Sequence, residues 1–108
     1  MTIKSKGRVN VAIPGTPVPL STDPNATACK LFFQVIPGLT GKTYAGVPSM
    51  TKSTLDGVAR ILWPNSAGGF SETFYIESQD GTDSIRLMDY AIDADVAGEG
   101  LLVTYWVE

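Results

Sequence analysis

The side chains in this 108-residue chain that could do chemistry are few, and their inventory excludes most of it. There is no histidine, so neither a Ser-His-Asp triad, nor a Cys-His pair, nor a histidine metal site can be built. The single cysteine, Cys29, cannot form an internal disulfide or complete a structural zinc site. With no histidine to activate it, Cys29 reads as a small buried hydrophobe. Asp89, Asp93, Asp95 and Glu99 crowd together near the C-terminus. They suggest a calcium loop or, with Glu72, a glycosidase carboxylate pair. The regular Asp-x-Asp-x-Asp-Gly spacing is missing, however, and so small a chain leaves little room for a substrate cleft. Solvated loop acids are the better reading. No GxxxxGK[ST] and no strand–GxGxxG–helix unit offers a phosphate cradle. The sequence therefore predicts a non-enzyme with no catalytic residue, no cofactor and no metal.

Aromatic side chains are the remaining candidates. Tyr44, Tyr75, Tyr90, Tyr105, Trp63 and Trp106 could stack on sugar rings, but each sits within an apolar, strand-like run. Core or interface packing accounts for them better. A sugar platform requires two or more of these rings coplanar and exposed on one surface.

The elements that position these residues are strands. Eleven glycines and seven prolines punctuate many short segments, and no stretch carries helical periodicity with caps over three turns. Ser53–Ile61 comes nearest to one. Gly7–Ile13 alternates, with Val9, Val11 and Ile13 on one side. Ala28–Ile36 is the central-strand candidate, with Cys29, Leu31, Phe33 and Val35 facing the core and Phe32 and Ile36 the other way. Val18–Leu20, Lys42–Val47, Val58–Trp63, Phe70–Ser78 and Asp83–Ile92 supply further strands. Pro64–Gly69 forms a loop, and Asp80-Gly81 is the best hairpin signal. The last strand, Leu101–Val107, is apolar on both faces: Leu101, Val103, Tyr105 and Val107 share one, Leu102, Thr104 and Trp106 the other. A strand with one wet face should be apolar on one side only, so something must cover Leu102 and Trp106. About eight short strands at this spacing predict an all-β, antiparallel β-sandwich of jelly-roll type.

Length and charge set the remaining bounds. One domain fills residues 1–108, with a short flexible N-terminal arm at about residues 1–6. Lys4, Lys6 and Arg8 form a small basic cluster at that end, read as a solvated arm and as candidate interface residues. The net charge of −3 argues against nucleic-acid binding. A lone cysteine fits assembly in a reducing cytoplasm, and no apolar run approaches a membrane span or a signal peptide. The chain is expected to be soluble, with no membrane or nucleic-acid partner.

Three stretches carry a resemblance. GRVNVAIPGTPVPLS, LFFQVIPGLTGKTYAGV and SIRLMDYAIDADVAGEGLLVTYWVE together resemble a group of small virion proteins of tailed bacteriophages. The middle stretch is similar to that group's apolar strand, turn and strand ending in Tyr-x-Gly. The last is similar to its closing Tyr-Ile-Asp and Gly-x-Gly pattern. The chain has Leu39 where the group often has Asn, and Ala45 where it often has Val. The resemblance implies a structural part of the particle: an accessory head protein that decorates or cements the capsid on its outer surface. It implies two partners, the major capsid protein and further copies of the chain itself, as a homotrimer. A tail, neck or fibre-associated subunit and a host-surface glycan-binding module are the alternatives. The expected interface residues are Lys4, Lys6, Arg8, Phe32, Leu102 and Trp106.

Overall fold

The computed structural model describes residues 2–64 and 72–108. Ten strands run through them: β1 (Thr2–Asn10), β2 (Val18–Pro19), β3 (Thr27–Ala28), β4 (Lys30–Val35), β5 (Thr43–Thr51), β6 (Asp56–Leu62), β7 (Thr73–Glu77), β8 (Ile85–Arg86), β9 (Ala91–Ala94) and β10 (Gly100–Val107). A single 3₁₀ turn, Leu87–Asp89, lies between β8 and β9. All pairings are antiparallel.

The pairing follows one rule. β5 pairs with β6, β4 with β7, β3 with β8, β2 with β9 and β1 with β10. The chain is thus a single long hairpin folded at the β5–β6 turn. Rolling that hairpin adds two contacts, β10 with β4 and β9 with β5. The result is two four-stranded sheets, β1-β10-β4-β7 (sheet A) and β2-β9-β5-β6 (sheet B), with β3 and β8 as a separate ribbon. The sheets form a sandwich, because their facing residues share one core. Leu31, Phe33, Val35, Leu101 and Val103 of sheet A pack in one cluster with Ala45, Leu62, Ile92 and Ala94 of sheet B. β4 reads half-buried, buried in strict alternation, as a strand with one face in the core must.

Several sequence expectations are corrected here. Residues 2–6 are not a free arm. They belong to β1, and Thr2 to Ser5 stand opposite Val107 to Thr104 of β10. β10 is apolar and long, and it recruits the N-terminal residues as an edge strand even though their own polar sequence gives no strand signal. Trp106 and Val107 lie within β10, as the strand reading of Leu101–Val107 expects. β1 stops at Asn10, so Ile13 falls in the following loop and is 65% exposed instead of core-facing. Pro48–Thr51 extends β5. The Asp80-Gly81 turn forms locally: Asp80 Oδ1 accepts from Thr82 N and Oγ1, and Gly81 has φ 73°. It does not make a hairpin, since β7 pairs with β4 and β8 with β3. Turn chemistry is local, but a strand's partner is chosen by which sheet buries it. Phe70 and most of the Pro64–Gly69 loop lie outside the described residues.

Candidate functional site: the outer face of sheet A

Each sheet has an inner face in the core and an outer face, and both outer faces carry large apolar side chains. Their fates differ.

On sheet B the chain covers its own outer face. Tyr44, Met50 and Ala91 are buried in a second cluster, with Val58 and Ile61 packed beside them. The far part of the β5–β6 hairpin forms this cover. It turns at Gly46, where an added Cβ would collide with the Gly57 carbonyl oxygen. Lys52 Nζ and the Tyr44 hydroxyl both donate to Asp95 Oδ1, each at 3.0 Å. Burial pushes the Tyr44 phenol up to about 12, and the Asp95 carboxylate adds to the effect. Burial also pushes the Asp95 carboxyl up, but the bonds from Lys52 and Tyr44 outweigh it and hold Asp95 below the usual carboxylate range. Beside Tyr44, the fully buried Asp93 accepts from Gly15 N at 3.0 Å and from Ala94 N at 2.8 Å. Its other carboxylate oxygen has no protein partner among the described residues.

On sheet A no described segment covers the outer face. The inward alternation of Leu31, Phe33, Leu101 and Val103 forces Phe32, Gln34, Leu102, Thr104 and Trp106 outward. Strand register pairs the two ends of a row across the four strands, and a diagonal ring contact between Phe32 and Trp106, which stand opposite Thr104 and Lys30, joins its middle. Ile3 on β1 stands opposite Trp106 on β10, and Phe32 on β4 opposite Tyr75 on β7. The Phe32 ring centroid lies 5.4 Å from Trp106 and 5.8 Å from Tyr75. Ile3 and Tyr75, at the two ends of the row, are 65% and 57% exposed. Lys30 Nζ sits 4.8 Å from the Trp106 ring centroid and 3.7 Å from Glu77 Oε1. Two shallow cavities open on this face, of about 300 Å³ over Ile3, Phe32 and Trp106 and about 200 Å³ over Arg8, Ile36 and Pro37. Gln34 and Leu102 line both.

Four of the six expected interface residues, Arg8, Phe32, Leu102 and Trp106, therefore meet on one surface. Arg8 is opposite Leu102 and donates through Nε to Asn10 Oδ1 at 2.6 Å. Lys4 and Lys6 line the same strand at the sheet's edge. Sequence reasoning missed Ile3 and Tyr75. Tyr75 was within reach, because it alternates with Phe74 and Ile76 and must face opposite to them.

The acids that crowd in sequence are dispersed in space. Asp89 pairs with Arg86 and Asp95 with Lys52. Glu99 accepts from Thr40 N, Thr40 Oγ1 and Gly41 N, tying the β4–β5 loop to the turn before β10. Burial raises the Glu99 carboxyl, and those three donors more than reverse the effect, leaving it lowered. Glu72 is taken up by Arg60 at 2.7 Å and by Trp63 N. Among the described residues no three acids or cysteines gather at a metal-binding distance. The aromatic rings on sheet A are inclined at 29° and 43°, which is not the coplanar platform a sugar requires. What the face offers is apolar and aromatic surface around two shallow cavities. Comparison with family models, curated proteins and solved structures finds no match for this chain.

Proposed function

We propose that this protein is a structural assembly subunit, a non-enzyme whose working surface is the outer face of sheet A. One observation carries the reading. The end of the β5–β6 hairpin covers the apolar outer face of sheet B, while no described segment covers Ile3, Phe32, Tyr75, Leu102 and Trp106 on sheet A. Contiguous apolar surface of this kind on a small domain marks a protein-contact site. The winding supports the same picture: strands paired from the outermost to the innermost and rolled into two sheets of four fit a jelly roll.

The resemblance to small phage virion proteins supplies the setting. The proposed role is that of a bacteriophage virion protein that decorates or cements the head, bound to the major capsid protein and to further copies of itself as a trimer. Arg8, opposite Leu102 on this face, is the proposed contact to acidic capsid surface, while Lys4 and Lys6 lie along the edge strand beside it, on a fixed strand instead of a loose arm. Exposed pairs of this sort contribute little singly and weaken with salt, so the apolar face must carry most of the contact. The test is binding of purified protein to particles, read by co-sedimentation and mass spectrometry of the particles. Wild type is expected to co-sediment and Leu102→Glu to remain in solution. Equal binding by both would overturn the assignment of the face. Deleting residues 1–6 is not a clean test, because it strips β10 of its partner strand.

A further inference from the structure

The two edges of sheet A carry opposite charge. β1, one edge, holds Lys4, Lys6 and Arg8 and no acid in nine residues. The other edge is β7. From Glu72 to Ser84, the stretch that contains β7 and the turn after it, there are four carboxylates (Glu72, Glu77, Asp80 and Asp83) and no lysine or arginine. Among the described residues, Glu77 is paired with Lys30 and Glu72 with Arg60, which leaves Asp80 and Asp83 outside the ion pairs on that side, while the three cations of β1 have no carboxylate within 4.0 Å. β1 pairs only with β10, and β7 only with β4, so each presents one unpaired edge among these residues. The exposed apolar residues of the outer face also fall at these edges: Ile3 on β1 and Tyr75 on β7.

From this we infer that copies of the chain join edge to edge, β1 of one against β7 of the next, into a closed ring. The inference rests on the proposed assembly role and specifies its self-contact. Three physical arguments select this arrangement. First, charge: β1 against a second β1 would bring six cations together and is repelled, β7 against a second β7 leaves those cations unmatched, and β1 against β7 sets them beside a stretch that holds four carboxylates and no lysine or arginine. Second, direction: β1, β10, β4 and β7 alternate, so β7 and the next β1 run antiparallel when neighbouring copies share an orientation, and the joined sheet continues its own pattern. Third, burial: the join sets Tyr75 beside the neighbour's Ile3, extending the row Ile3–Trp106–Phe32–Tyr75 from copy to copy. A contact between unlike surfaces closes into a ring when its rotation permits, and a ring leaves no open edge on sheet A.

Light scattering of four samples tests it, with circular dichroism to check that each remains folded. Wild type is expected at a multiple of the 11.5 kDa chain mass. Lys4→Glu/Lys6→Glu, which makes both edges acidic, and Thr73→Lys/Glu77→Lys, which makes both basic, are each expected at the monomer mass. Mixed in equal amounts, these two variants complement each other at every unlike contact and are expected to associate at least to a dimer mass, since a ring of three cannot alternate two variants all the way round. A monomeric wild type, variants that keep the wild-type mass, or a mixture that stays monomeric would each overturn the ring. Hydrogen exchange on wild type supplies a readout free of substitutions: amides of β1 and β7 should gain protection with concentration, and unchanged protection there would also overturn it. The outcomes separate the two proposals. If Leu102→Glu abolishes particle binding while the edge variants keep the wild-type mass, the edge contact falls and the assembly face stands. If wild type forms the ring but ignores particles, the reverse holds.

Discussion

The two outer faces of this sandwich solve one problem in opposite ways. Tyr44 on β5 and Phe32, Leu102 and Trp106 on β4 and β10 all point away from the shared core at the sheet centres. On sheet B the residues beyond Gly46 fold back, Met50 packs on Tyr44, and Lys52 fastens the cover to Asp95. On sheet A no described residue closes over the equivalent surface around Leu102 and Trp106. The difference is one of connection length. The β5–β6 hairpin carries chain beyond the β9 pairing, residues 47–56, that returns over the sheet, whereas β4 turns at once into Pro37-Gly38 and sends no such return over sheet A.

Substitutions on the two faces should therefore act on different quantities. The largest effect is expected from Leu102→Glu: complete loss of particle binding by co-sedimentation, with the wild-type mass kept in light scattering and stability altered by no more than about 1 kcal/mol as for other surface changes. A loss of several kcal/mol would show Leu102 to be part of the core and erase the contrast. Tyr44→Ala is its mirror image. It removes a buried ring and its bond to Asp95, and should cost about 3–5 kcal/mol in denaturant unfolding, in the range for large-to-small core changes.

Acid should open the covered face first. Asp95 and Glu99 have folded pKa values held below those of the unfolded chain. The stability they contribute is present above the unfolded pKa of about 4 and is lost as pH falls through the lower folded values. Below about pH 4, binding of a hydrophobic dye and exchange of the amides of 47–56 should rise before global unfolding. Simultaneous loss of all structure would refute a separate cover. Tyr44 has the opposite sign. Its raised pKa, about 12, means stability is intact below pH ~10 and declines between there and 12.

Lys52→Ala tests the fastening alone. A partly exposed pair is worth under about 1 kcal/mol, so the expected change is faster exchange over 47–56 with little shift in Tm. The smallest effect belongs to Cys29→Ser. Cys29 is 1% exposed, which taken alone suggests a cost of about 1–3 kcal/mol for a buried hydroxyl. The Cys29 thiol donates to Trp106 O at 3.2 Å, however, and a serine hydroxyl inherits that acceptor. The cost should fall below about 1 kcal/mol, measured by thermal unfolding.

Strand positions and facing were legible in the sequence wherever one face had to be dry. The alternation of Leu31, Phe33 and Val35 placed the core side of β4, and the doubly apolar β10 announced a surface in need of cover. Period-2 patterning is a property of the local chain, so it survives translation into three dimensions. The expectation of a non-enzyme comes from the same level, by inventory alone. Only the tertiary structure decided the rest. Residues 2–6 carry no strand signal, and only the exposed hydrogen-bonding edge of β10 turns them into β1. The Asp80-Gly81 turn forms as its residues demand, yet it joins strands of different sheets, because pairing is settled by long-range burial. The sequence likewise shows Tyr44 and Trp106 as equals, two aromatics in apolar runs. That one is sealed beneath Met50 and Lys52 and the other stands on an open face depends on where a distant hairpin comes to rest. No local pattern encodes that placement.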